Sequence, residues 1–187
     1  MIQRLIYLVK GFFSNTTLET PISAPAPLPV ESYPITFDQS PNFSSRRNKI
    51  AQIIVLHHTG SLLLKSAVSW FKTTQSQVSA HYVVGLDGTI IQMVKEEDKA
   101  WHAGDSVWYG KKDVNSVSIG IEIVGDGVKP FTEKQYVVVA WLCREIKNRQ
   151  SIADIVGHAD IAVPKGRKVD PKPFDWAKFK ALLDKAA

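Results

Sequence analysis

A single cysteine, Cys143, stands among 187 residues, so no disulfide can form within the chain and no cysteine-built zinc finger is possible. Any metal held by this protein must take its ligands from histidine, aspartate or glutamate. No run of 18 or more apolar residues occurs, so no transmembrane span is expected. The HExxH pattern of helix-borne zinc peptidases is missing, and so is any nucleic-acid-binding motif. Internal repeats are lacking as well, which leaves no sign of a repeat architecture.

What is present suits one globular domain. Hydrophobic residues make up 44% and charged residues 22%, and the length allows one core plus a tail. The net charge of +5 favours an anionic partner: a nucleic acid, a lipid surface or an anionic wall polymer. Lys165, Arg167, Lys168, Lys172, Lys178 and Lys180 gather near the C-terminus. Such a cluster can bind phosphates or form a solvated face; without a motif beside it, no nucleic-acid partner is expected. A monomer is expected.

The opening reads differently from the rest. Residues 1–13 are short, apolar and basic, and residues 21–29 (PISAPAPLP) form a Pro/Ala-rich, extended linker. Arg4 and the small residues Ser23, Ala24 and Ala26 suit an export signal, whereas Lys10, which interrupts the apolar stretch, suits an amphipathic tail. No cysteine follows that stretch, so a lipoprotein anchor is not expected. This reading gives a tail over residues 1–32 and a folded domain over residues 33–187. A periplasmic or exported location is expected, with a cytoplasmic one as the alternative.

Within the domain, residues 50–57 are β-branched and apolar, as in a buried strand. Residues 61–74 fit a helix. Two strands over 80–86 and 89–94 flank Asp87-Gly88, a hairpin signal. Residues 117–124 alternate: Val117, Ile119, Ile121 and Ile123 share one face, and Ser118, Gly120 and Glu122 the other. Thr132 can cap a helix over 132–150, with Gln135 as its capping-box partner and Tyr136, Val139, Ala140, Cys143 and Ile146 as its core stripe. A short strand over 152–158 and an amphipathic helix over 174–185 complete the pattern. The fold class is α/β, a single domain with a central mixed β-sheet flanked by helices.

Five histidines carry the first chemical signal: His57, His58, His81, His102 and His158. Neighbours on a strand point to opposite faces, so only one of His57 and His58 can face a given site. Downstream, His158 follows a strand and Asp170 stands before Pro171. Two imidazoles and one carboxylate make a three-ligand catalytic zinc set with the fourth position left to water. By spacing alone, Asp170 could equally cap the terminal helix region, and any one histidine could be a hydrogen-bonded structural residue. Glu122 lies mid-strand among apolar residues, where a carboxylate is costly unless paired or functional. It is either a proton acceptor or the partner of a lysine, and Gly120 leaves room beside it.

Six stretches occur in order: Val55-Leu56-His57-His58-Thr59, Ser79-Ala80-His81-Tyr82, Ala100-Trp101-His102-Ala103-Gly104, Asn115 to Glu122, Gly157-His158, and Arg167-Lys168-Val169-Asp170-Pro171. Together, from about Tyr33 to the C-terminus, they resemble the N-acetylmuramoyl-L-alanine amidases of type 2. That family takes in AmpD, its periplasmic relatives, phage lysozyme-type amidases and peptidoglycan recognition proteins. The resemblance implies an amidase/PGRP-like fold and hydrolysis of the amide between N-acetylmuramic acid and L-alanine, in peptidoglycan or muropeptides. It implies one zinc ion (Zn2+) on His57, His158 and Asp170. Glu122 matches the carboxylate that activates water, and Lys168 matches the cation that stabilises the oxyanion. His81, Tyr82, Trp101 and His102 match positions lining the substrate groove, and His58 is then structural. The alternative is a non-catalytic peptidoglycan-binding module; such relatives usually lose a metal ligand, and this chain keeps all three. Two departures lie beside the site: a loop about two residues longer between His158 and Asp170 than in the shortest relatives, and Lys172 where the family often has glycine.

Overall fold

Two stretches rich in β-branched residues, Ile53–His58 and Ser118–Ile123, pair in parallel at the middle of one sheet. The computed structural model describes residues 32–185. The tail, export-signal and linker reading falls on residues 1–32, and residues 1–31 of it lie outside the described residues. The sheet has six strands: β1 (Ile35–Phe37), β5 (Ile90–Gln92), β4 (Tyr82–Val84), β9 (Ser118–Ile123), β3 (Ile53–His58) and β10 (Asp154–Gly157), in that spatial order. From β4 to β10 all neighbours run parallel; β5 pairs antiparallel with β4, across the Asp87-Gly88 turn, and parallel with β1. This is the mixed sheet expected from the sequence. Two small pairs lie outside it, β2 (Phe43–Ser45) with β6 (Asp98–Ala100) and the hairpin β7 (Val107–Trp108) with β8 (Lys111–Lys112). The strands of both pairs are only two or three residues long, too short to announce themselves in a sequence.

Alternation sends each strand's residues to two different cores. Ile54, Leu56, Tyr82, Ile119, Ile121 and Ile123 pack on one face, beneath helices α2 (Glu133–Arg149) and α4 (Trp176–Leu183). Helix α2 brings Tyr136, Val139, Ala140, Cys143 and Ile146, the stripe that helical spacing predicts. Cys143 is fully buried there, and burial pushes its thiol well up, so it serves as an inert packing group. On the other face, Ile53 and Val55 pack with Ala103, Val114 and Ile161. Beside them Val83 and Met93 pack with Ala67 and Phe71 of α1 (Leu64–Lys72). This second face carries the polar residues discussed below.

Arg46 binds the small pair β2–β6 to the sheet. It is 1% exposed, and its guanidinium donates to the carbonyls of Asp98 (2.8 Å) and Ser118 (2.7 Å). Burial lowers its pKa to about 10, with the charges of Asp98 and Glu96 opposing the fall. Among the described residues no helix is long and apolar enough to cross a membrane.

The capping box of α2 forms as the sequence predicts. The Thr132 hydroxyl accepts from the Gln135 N–H (3.1 Å), and the Gln135 side chain accepts from the Thr132 N–H (3.0 Å). Thr132→Ala is therefore expected to cost about 1 kcal/mol of stability. Denaturant unfolding checks it; an unchanged midpoint would count against the cap.

Candidate metal centre

The carboxyl ends of three adjacent parallel strands converge, a common place for a site in such sheets. His57 lies near the end of β3, directly across from Glu122 on β9. On the other side Gly157 pairs with Leu56, so His158, the next residue, comes level with His57 as the first residue of α3 (His158–Ile161). The loop after α3 returns to the same point: the Ala159 N–H donates to the Asp170 carbonyl (2.9 Å), and the Asp170 side chain turns inward. Gly157 permits this approach, because a Cβ there would come within 2.9 Å of Pro171 Cδ.

Three atoms meet at the centre. His57 Nδ1, His158 Nδ1 and Asp170 Oδ2 lie 3.1 Å from one another on every side, and all three residues are buried. A tetrahedral ion with ligands at about 2.0–2.1 Å would set its donors about 3.3–3.4 Å apart, so the triangle has the size of three corners of such a site. The chemistry of the donors agrees. His158 Nε2 lies 3.0 Å from the Ala103 carbonyl, which can only accept, so a neutral His158 carries its proton there and presents a lone pair at Nδ1. Asp170 can only accept. Burial opposes its charge, yet its contacts with the two imidazoles hold its carboxyl well below the usual range. One proton at most, on His57 Nδ1, can lie among these three atoms, whereas a cation satisfies all of them. The cluster suits a metal ion.

Glu122 stands beside it. Its Oε2 is buried with no hydrogen-bond partner. Burial pushes its carboxyl up to about 8, the charge of Asp170 adds to the rise, and Lys168 opposes it. Placed so, Glu122 is not a surface ion pair, and a shielded carboxyl with a raised pKa is able to hold or pass on a proton near neutral pH. Burial also pulls His57 down to about 4, so its imidazole is neutral near pH 7.

A cleft of about 580 Å³ opens over these residues. Trp70, Phe71 and Trp101 give it an aromatic lining, and Arg167 and Lys168 give it a cationic one. Elsewhere in the C-terminal basic cluster, Lys178 pairs with Glu133 and lies over the Tyr136 ring.

Of the four residues expected in the groove, Trp101 and His102 line the cleft, and His81 and Tyr82 do not. Tyr82 pairs with Ile121 on β9 and so shares the face packed under α2; its hydroxyl donates to Glu96 (2.7 Å). His81 is on the site's face but fully buried, its Nδ1 accepting from the Gly120 N–H (2.9 Å) and its ring 5.8 Å from that of His102. The groove expectation is corrected for both. The space left by Gly120 is also filled otherwise than the sequence suggests: His102 occupies it, and a Cβ at position 120 would lie 2.5 Å from His102 Cγ. Sequence reasoning missed the bond between His102 Nδ1 and His57 Nε2 (2.9 Å); its one visible trace is the small pair Ser118 and Gly120 on that face of β9. His58 lines the cleft mouth and accepts from the Lys172 N–H (3.1 Å).

Comparison with known proteins agrees with this geometry. The chain is 42% identical over 112 residues to the 1,6-anhydro-N-acetylmuramyl-L-alanine amidase AmpD of Escherichia coli strain K12, covering 58% of this chain and 60% of that one. The chain thus spans less than two thirds of that relative's length. It superimposes on a crystal structure of an AmpD derivative with a TM-score of 0.72 and 31% identity, over 80% of this chain and 94% of that one. It also superimposes on E. coli AmiD, solved with anhydro-N-acetylmuramic acid-L-Ala-D-gamma-Glu-L-Lys, with a TM-score of 0.63 and 32% identity over 78% and 60%. A family model described as N-acetylmuramoyl-L-alanine amidase (Amidase_2) matches residues 46–173, a span that takes in His57, Glu122, His158, Lys168 and Asp170. The chain belongs to that family, the type 2 amidases.

Proposed function

We propose that this protein hydrolyses the amide bond between N-acetylmuramic acid and L-alanine in peptidoglycan or its muropeptides, using one zinc ion held by His57, His158 and Asp170. The observation that carries this reading is the 3.1 Å triangle of their ligand atoms with an unpartnered carboxyl alongside. Two imidazoles and a carboxylate are a donor set that zinc takes in catalytic sites. Zinc bound there supplies a Lewis acid that polarises the amide carbonyl and lowers the pKa of water to near ~7.

The chain's own residues do the rest. Glu122 takes a proton from the attacking water on its free oxygen and returns it to the departing amine. Lys168, on the cleft wall, sets a positive charge near the carbonyl oxygen as that oxygen becomes negative. Arg167, beside it, is held in place by bonds to the Asp105 and Val163 carbonyls (2.6 and 2.8 Å) and adds a second fixed charge to the same wall. Such a wall favours a substrate with anionic groups, as a muropeptide stem with its carboxylates has. A binding module that holds the same ligand without cutting it would need none of the Glu122 arrangement. For location we propose the periplasm or the cell exterior, on the basic, apolar opening and the Pro/Ala-rich stretch of residues 1–32.

Asp170→Ala is expected to abolish zinc loading, and chelation of the unaltered protein to abolish activity until zinc is restored; metal analysis with a muropeptide assay checks both, and full activity in either case overturns the metal role. Glu122→Gln is expected to retain zinc and lose about 10²–10⁴-fold in kcat. An unchanged kcat would remove Glu122 as the proton carrier, and a chain that binds muropeptide but never cleaves it would be the binding module instead. Lys168→Ala is expected to lower kcat by about 10²–10³-fold with metal content intact; a change confined to KM would reduce Lys168 to a binding role.

A further inference from the structure

One short segment stands behind both ligand histidines. His102 Nδ1 lies 2.9 Å from His57 Nε2, and the Ala103 carbonyl lies 3.0 Å from His158 Nε2. The two nitrogens that face away from the ligand triangle are thus met by two consecutive residues. Asn115 clamps that segment, its Oδ1 accepting from the backbone N–H of both His102 (3.0 Å) and Ala103 (2.8 Å). Beyond His102, its Nε2 lies 3.0 Å from Ser118 Oγ. Its ring rests on Gly120, where no side chain could fit. Ser118, Ala103 and His57, which meet these bonds from the other side, are all at most 1% exposed.

The proton arithmetic gives the segment a task. A neutral imidazole that ligates through Nδ1 must carry its proton on Nε2. For His158 the Ala103 carbonyl enforces this, since it can only accept. For His57 the partner is another imidazole, which can either accept or donate. When His102 carries its proton on Nε2, toward Ser118, its Nδ1 accepts from His57 Nε2–H and the His57 lone pair points at the metal position. When His102 carries it on Nδ1, His57 is forced to hold its own proton on Nδ1, and the ligand position is blocked.

We propose that His102 is a positioning residue for the metal centre: with its proton on Nε2 beside Ser118 and its backbone clamped by Asn115, it fixes His57 in the tautomer that ligates. This rests on the metal reading above and reassigns His102 from the substrate groove to the support of a ligand, although its ring edge also reaches the cleft.

The test is zinc affinity, measured by chelator competition on the full chain, with KM for a muropeptide alongside. His102→Ala removes the acceptor and is expected to weaken zinc binding by about 10–100-fold while KM holds. His102→Asn keeps an acceptor oxygen near the Nδ1 position and is expected to restore affinity. If His102→Ala binds zinc like the unaltered chain and raises KM instead, His102 is a groove residue and the proposal falls. Imidazole nitrogen NMR on the zinc-loaded unaltered protein decides the matter even if the alanine variant does not fold: His102 protonated on Nε2 is expected, and protonation on Nδ1 overturns the proposal. An unaltered chain that binds no zinc overturns the metal reading and this inference together, whereas tight binding that the variants share overturns this inference alone.

Discussion

The parallel register of β3 on β9 sets His57 directly across from Glu122, and the rest of the site is arranged around that pair. A slip of one residue would send His57 beneath α2 and present Leu56 to the cleft. Apolar burial on both faces holds the register: Leu56 and Ile121 are fully buried on one side, and Ile53 and Val55 on the other. The second parallel neighbour, β10, repeats the logic by bringing His158 level with His57. His57 and Glu122 therefore lie on the central strands and His158 directly follows another, whereas Asp170 and Lys168 lie on a loop.

The polar face of the sheet is built from imidazoles rather than from charges. His158, His57, His102 and His81 follow one another with ring centroids 4.6, 5.0 and 5.8 Å apart. Burial keeps His57, His102 and His81 in the neutral form, which is the form that can donate, accept and ligate in a dry interior. Charge enters at the two ends: Arg46 closes the deep end with backbone carbonyls, and Asp170 supplies a carboxylate at the cleft. Between them, each ring nitrogen that faces another group has a partner.

The sequence made some of this legible and hid the rest for physical reasons. The alternation of 118–123, the capping box at Thr132 and the turn at Asp87-Gly88 follow from local rules and stand as read, whereas Val117 ends a short 3-10 turn and packs with Ile53 and Val55 on the face opposite to Ile119, Ile121 and Ile123. The ligand trio was open by spacing alone, since His57 or His58 and several roles for Asp170 fitted equally; motif resemblance narrowed it, and the fold brings the chosen atoms together. Tyr82 was misread because β4 is buried on both faces, so nothing in its composition says which face meets the cleft. Arg46 and the role of His102 were invisible for another reason: their partners are 72 and 45 residues away, and neither side chain belongs to a local pattern.

The neighbouring histidines at the end of β3 divide two tasks by pointing in opposite directions. His57 faces the ligand triangle, and His58 receives the Lys172 N–H from the far side of Asp170. That second bond fastens the loop carrying Asp170 to the strand carrying His57. For the metal ion that the cluster suits, this bond would raise the effective molarity of the Asp170 carboxylate, making the site a tridentate chelator instead of a bidentate one with a loosely held third arm. A residue outside the donor set would thereby slow the escape of an ion bound there.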